Sequence, residues 1–106
     1  MKNSAAVLSI KFQSSHSPAD LLTTCNEDLE RFKNVPGLIE KYYITEEGTD
    51  AISGIYLFAT DQDREAFWNS ELAKDIPVHY KVKLETLRVE RFQMAIVLND
   101  SMPVLA

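Results

Sequence analysis

The sequence has few of the residues that mark metal, disulfide or phosphate chemistry. It holds one cysteine, Cys25, so no internal disulfide forms, and a reducing compartment, the cytoplasm, is the expected setting. Its two histidines and that thiol stand at no ligand spacing, so no metal site is expected. The three glycines, Gly37, Gly48 and Gly54, are scattered. They form no phosphate loop and no flavin or nicotinamide fingerprint, and no cofactor is expected. No apolar run approaches a membrane span, and residues 1–7 hold no apolar core long enough for a signal peptide. A formal net charge of −5 speaks against a nucleic-acid surface, which needs clustered Lys and Arg. Internal repeats and low-complexity segments are also missing.

What is present fits one ordinary globular domain of 106 residues, with a loose tail from about residue 99. The stretch 35–60 organises it. Two runs rich in branched and aromatic residues, 38–45 and 52–59, flank a polar turn that contains Gly48, which predicts an antiparallel hairpin at the centre of a sheet. Before it, Ala6, Leu8, Ile10 and Phe12 alternate as a first strand over 6–13. Ser17 offers an N-cap hydroxyl and Pro18 suits a first helical position, so a helix should run to about Lys33. Leu21, Leu22, Cys25, Leu29 and Phe32 make its buried stripe, with Asp20, Glu27, Asp28, Glu30 and Arg31 on the wet side. Cys25 reads as a small buried hydrophobe.

After the hairpin, Asp61 can cap a second helix over roughly 63–74, ended by Pro77. Val78, His79 and Tyr80 would then link to a last strand over 82–97. The apolar phase slips between Leu84 and Leu87, as a β-bulge would make it. The order β-α-β-β-α-β is the ferredoxin-like α+β arrangement, with two helices over one face of a four-stranded antiparallel sheet. The other face would carry either Tyr42 and Ile44 with alternate residues among Ile52, Tyr56 and Phe58, or Tyr43 with Ile55 and Leu57. Either set exposes apolar surface, and a homodimer packed sheet against sheet is the simplest cover.

Pro36-Gly37-Leu38-Ile39-Glu40-Lys41, followed at its spacing by Gly54-Ile55-Tyr56-Leu57-Phe58, resembles the YdhR-like monooxygenases of the dimeric α/β-barrel superfamily. The likeness runs from about Leu8 to Phe67. It departs after Ala73, and Ser53 stands where a second glycine is expected. The resemblance implies paired ferredoxin-like subunits, each with a small-molecule pocket between sheet and helices. It also implies a choice of activities: cofactor-independent oxidation of small aromatic or quinol-like compounds, cyclisation or isomerisation, or non-catalytic binding of a small hydrophobic or aromatic ligand in a stress-related dimer.

Within that frame, His79 and His16 are the candidate catalytic residues, since imidazole is the usual base near neutral pH. His79 is favoured, because some cyclase relatives carry a functional histidine between the second helix and the last strand. Exposed loop histidines are common, which is the plainer reading of both. Trp68, Asn69, Tyr43 and Tyr56 are candidate substrate-binding residues: rings with polar tips hold a planar ligand, and an amide orients an oxygen. Trp68 also fits simple core packing. Neighbours on a strand point opposite ways, so only one of Tyr42 and Tyr43 can face the helices. The pocket is expected between the His16 loop, Trp68 and the His79 link, away from the charged turn 46–50. An RNA-recognition motif shares the element order, but its basic and aromatic positions are not filled here.

Overall fold

Alternation along the first strand sets the layer. Ala6, Leu8, Ile10 and Phe12 of β1 (Ala6–Phe12) are buried, while Val7 and Lys11 between them are partly open. The computed structural model describes residues 5–98. Helix α1 (Pro18–Phe32) begins where its cap signals lie: the Ser17 hydroxyl accepts from the Asp20 N–H at 3.2 Å, and Pro18 opens the first turn. Strands β2 (Leu38–Thr45) and β3 (Ile52–Phe58) pair as an antiparallel hairpin. β1 pairs antiparallel with β3 on one side and with β4 (Arg88–Gln93) on the other.

The sheet order is β2-β3-β1-β4, the ferredoxin-like arrangement. The hairpin is therefore not its centre. The α1 crossover carries β2 one strand away from β1, β3 folds back into the gap, and β2 becomes an edge. Among the described residues, no helix is long and apolar enough to cross a membrane.

The second helical region differs from the expected single helix. Thr60, not Asp61, is the N-cap, its hydroxyl accepting from the Asp63 N–H at 3.0 Å. Helix α2 (Asp61–Trp68) stops at Asn69. The Ser70 hydroxyl then caps a new helix, α3 (Glu71–His79), by accepting from the Ala73 N–H at 3.2 Å. Pro77 lies inside α3 rather than after it. A proline removes one backbone donor. The last turn still closes, because the Tyr80 N–H reaches the Ile76 carbonyl at 3.0 Å and the Lys81 N–H reaches Val78 at 3.2 Å. Val78, His79 and Tyr80 are thus the end and cap of a helix, not a link. Arg64 of α2 is buried and donates to the carbonyls of Val7 and Phe92, tying the helix to β1 and β4.

Two further expectations are corrected by the register. The phase slip before the last strand comes from a 3-10 turn (Leu84–Thr86), not a bulge, and β4 is only Arg88–Gln93. Residues 94–98 continue outside any strand, and the expected loose tail from residue 99 lies outside the described residues. The bulge is instead on β2, between Leu38 and Glu40. Past it, Tyr42 stands opposite Ile55 and Tyr43 opposite Gly54. Tyr43, Tyr56 and Phe58 therefore share the helix face. Tyr42 and Ile44 share the open face with Ile55 and Leu57, a mixture of the two expected sets.

Gly37, just before the bulge, has φ +75°, and a Cβ there would meet the Asp63 carboxyl carbon at 2.1 Å. Gly48, in the hairpin turn, has φ +80° with open space around it. Both positions penalise an L-residue, but only Gly37 adds a clash. We predict that Gly48→Ala lowers unfolding free energy by about 1 kcal/mol and Gly37→Ala by about 2–4 kcal/mol. Urea unfolding of the two variants checks this, and equal losses would refute the clash.

Candidate active site

The buried face of α1 is not purely apolar. Leu21, Cys25, Asp28 and Phe32 occupy it, while Leu22 and Leu29 are exposed. Asp28, expected on the wet side, is 6% exposed. A buried carboxylate needs partners, and this one has them. Its Oδ2 accepts from the Tyr80 hydroxyl at 2.8 Å and from Arg31 Nη1 at 3.3 Å. His79 Nε2 stands 2.9 Å from the same oxygen, off the line of a hydrogen bond. Arg31 is held from its other side by Asp75 at 3.2 Å.

The chain of polar groups continues inward. The Tyr43 and Tyr80 hydroxyl oxygens are 2.9 Å apart. Tyr80 gives its proton to Asp28, so Tyr43 donates to Tyr80, and the chain is polarised from Tyr43 towards Asp28. Burial raises both phenols well above their usual range. It also pushes the Cys25 thiol up to about 11, which leaves it an unreactive thiol at neutral pH. The position of α3 makes the chain possible. Tyr80 caps that helix, and its carbonyl accepts from the Ser14 hydroxyl at 2.6 Å.

Lys41 enters the same layer because of the bulge. Leu38 faces the helices opposite Phe58, Glu40 faces away opposite Leu57, and Lys41 faces in opposite Tyr56. Strict alternation from Leu38 would have put Lys41 and Tyr43 on the open face. The Lys41 Nζ lies 3.3 Å from the Tyr43 ring centre, 4.3 Å from Phe32 and 4.5 Å from Tyr56. The residue is half-buried, but its Nζ is fully covered and has no hydrogen-bond acceptor among the described residues. Desolvation pushes this amine down to about 7, against the weaker pull of Cys25 and Asp28. A depression of about 380 Å³ between α1 and β2 has Lys41 in its wall.

Of the residues singled out from sequence, His79, Tyr43 and Tyr56 meet here. Tyr56 is buried among Phe32, Phe58 and Phe67. The others lie apart. Trp68 ends α2, half-buried under the Arg91 guanidinium at 5.6 Å. Asn69 caps α2, its Nδ2 donating to the Glu65 carbonyl at 3.0 Å. His16 sits in the loop after β1, its backbone N–H on the Ser14 hydroxyl at 3.0 Å. The crevice beside His79, bordered by Asp28, Phe32 and Tyr80, is too narrow to admit a water and reaches neither Trp68 nor the His16 loop. The charged hairpin turn borders a depression of its own, about 280 Å³, against Leu21 and Leu22. Asp28, Tyr80 and Lys41 were missed from sequence. For Asp28 the signal was its place seven residues after Leu21, on the same face. Among the described residues no group of His, Cys, Asp and Glu converges as metal ligands would.

The low value of the Lys41 amine makes it a stability device with a defined sign. Its folded value, about 7, lies below the ordinary 10.5, so between these the unfolded chain binds more protons. Burying Lys41 therefore destabilises fully below pH 7, and the penalty fades as pH rises to 10.5. We predict that Lys41→Met is more stable than the parent at pH 7, by on the order of 2–4 kcal/mol. The gap should shrink on going to pH 10. Urea unfolding across that range tests it, and a gap independent of pH would contradict the burial of a titrating amine.

Residues 7–99 match the family described as Putative mono-oxygenase ydhR. Among solved structures, a protein of unknown function from Nitrosomonas europaea superposes with TM-score 0.71 at 14% identity, covering 95% of this chain and 96% of its own. A monooxygenase from Streptomyces coelicolor, in complex with the ligand nanaomycin D, gives 0.70 at 11% identity, over 95% and 96% of the two chains. SnoaB, a cofactor-independent oxygenase from Streptomyces nogalater, gives 0.64 at 10% identity, over 93% and 99%. At these identities the likeness is one of fold. No curated protein matches the sequence. The match over nearly the whole chain carries the conclusion that this protein belongs to the YdhR mono-oxygenase family.

Proposed function

We propose that the protein is a monooxygenase that needs no bound cofactor and oxidises small aromatic or quinol-like compounds. The observation that carries the reading is the hydrogen-bonded chain from Tyr43 through Tyr80 to Asp28, with His79 on the same carboxylate. It leads from an aromatic interior to a partly exposed imidazole. Removing a phenolic proton is the step such chemistry needs, because the phenolate then supplies electrons to oxygen. A carbon–oxygen bond forms at the ring, and the oxygen–oxygen bond breaks as the ring carbon loses its hydrogen. One oxygen atom stays as a carbonyl and the other leaves as water. His79 is the group that passes the proton to solvent. Tyr43 and Tyr56 belong to the aromatic wall that excludes water. Membership of the family and the fold shared with two oxygenases support the reading. We assign no step to His16, Trp68 or Asn69.

The proposal includes a homodimer formed by the open sheet face. Ile44 and Phe92 are about half exposed there, beside Tyr42 and Ile55. Light scattering should give twice the chain mass of 12.0 kDa, and a monomer at micromolar concentration would remove the dimer.

Oxygen uptake on a panel of quinols and naphthols tests the activity. We predict stoichiometric uptake with an active substrate. His79→Ala should lower kcat by about 10²-fold with a smaller change in KM. His16→Ala and Trp68→Phe should keep kcat/KM within about threefold. Turnover without oxygen uptake would overturn the oxygenase and leave a cyclase or isomerase that uses the same proton chain.

A further inference from the structure

We infer that Lys41 is the anion-pairing residue of a binding site between α1 and β2, and that this site takes a planar aromatic ligand bound as its oxyanion, a phenolate or an enolate. The inference deepens the aromatic-substrate part of the proposed function and is independent of oxygen use.

Two geometric facts converge on it. First, the chain departs from a regular strand in order to turn Lys41 inward. The bulge between Leu38 and Glu40 is closed by the Glu40 carboxylate, which accepts from the Lys41 backbone N–H at 2.9 Å. Bulges re-aim side chains, and they gather beside active sites. Second, the amine so placed has no acceptor. The faces of Tyr43, Phe32 and Tyr56 hold it by cation–π contacts that offset part of its desolvation, but among the described residues no oxygen or nitrogen accepts a hydrogen bond from it. An amine buried in this way destabilises the chain unless something completes it.

The charged and titratable groups near it are already engaged or are not acceptors. From α1, Asp28 is taken by Tyr80 and Arg31, and Cys25 keeps its proton. Lys33, at the rim, is a cation paired with Glu30. From β2, Glu40 closes the bulge, and the Tyr43 hydroxyl is given to Tyr80. From β3, Tyr56 is held protonated by burial. The missing partner is an anion from outside.

The depression shows what kind. Leu29, Phe32, Leu38 and Ile39 line it, with Lys33 and Glu40 as its only other borders besides Lys41. Its volume of about 380 Å³ is at the small end of ligand pockets and suits one or two fused rings. Apolar walls suit the faces of such a ring, and the ammonium, covered among the three rings in the unliganded chain, must swing on its flexible stem towards the depression to meet the oxygen at the ligand's edge. Binding breaks the ligand O–H bond. The proton passes to the Lys41 amine where that is neutral, or to solvent where it is already an ammonium; the electron pair stays on oxygen, and an ammonium–oxyanion pair results with no change in oxidation state.

The test uses para-nitrophenol, which ionises near neutrality, and para-nitroanisole, which cannot. Titration into the wild-type chain at pH 7 should raise the phenolate absorption band and show at least about tenfold tighter binding of the phenol. Lys41→Met and Lys41→Gln should each lose that preference while binding the anisole as before. If neither variant folds, the ratio of the two probes on the wild type decides alone. Equal binding of both probes, no binding of the phenol at millimolar concentration, or a phenolate preference that survives in a folded Lys41→Met would each overturn the inference. A phenolate preference without oxygen uptake on any quinol keeps this inference and removes the oxygenase reading. Oxygen uptake without that preference does the reverse.

Discussion

A carboxylate held inside the helix–sheet layer is the constraint around which this molecule is arranged. Asp28 sits on the face of α1 that packs against the sheet, among Leu21, Cys25 and Phe32. An unpaired charge there would cost several kcal/mol. Arg31, one turn on, and Tyr80, the cap of α3, donate to it, and His79 stands beside the same oxygen. The continuation of α3 through Pro77 is what brings Tyr80 and His79 to this carboxylate. Had the helix stopped at Ile76, neither His79 nor the Tyr80 hydroxyl would be carried to α1 by a rigid element.

The same layer holds an amine, yet the two charges do not neutralise each other. Asp28 spends its contacts on Tyr80 and Arg31, and it acts on Lys41 only as a field that raises the amine a little against desolvation. A direct pair would have been the more stable core, and a pair of apolar side chains more stable again. Keeping the charges apart leaves the Lys41 amine without a hydrogen-bond acceptor among the described residues. Under the function and binding site proposed above, the proton leaves at one end of the layer and the negative oxygen is held at the other. That separation is what deprotonation of a phenol requires, since the proton and the anion it leaves must end at different places.

Legibility from sequence followed the physics of each signal. β2 was read with both its ends correct because branched and aromatic residues fill it and turn residues bound it. The start of α1 was legible because Ser17 and Pro18 are local signals that act within one turn. The break between α2 and α3 was harder. Ser70 is as good a cap as Ser17, but it sits inside a continuous helical pattern, where a serine more often points to solvent. Asp28 was placed by residue type rather than by angle: its position matches Leu21 and Phe32, and only its charge argued for water. Lys41 could not have been assigned by alternation. A bulge shifts the phase of a strand without leaving a reliable mark in the sequence, and the phase of β2 depends on Gly37 and on contacts made by β3.

That bulge also sets the division between the two sheet faces. With regular pleating, Tyr42 and Ile44 would face the helices, and Lys41 and Tyr43 would stand on the open face. Glu40 would turn inward with Tyr42 and Ile44, and the layer would lose the amine and the phenol that now stand near Asp28. One extra residue exchanges the two sets. It leaves Tyr42 and Ile44 on the open face beside Ile55 and Phe92, and it sends Lys41 and Tyr43 into the layer with Asp28. A single irregularity in the edge strand sets which side chains each face carries, because the side-chain period of two allows neither set to change without the other.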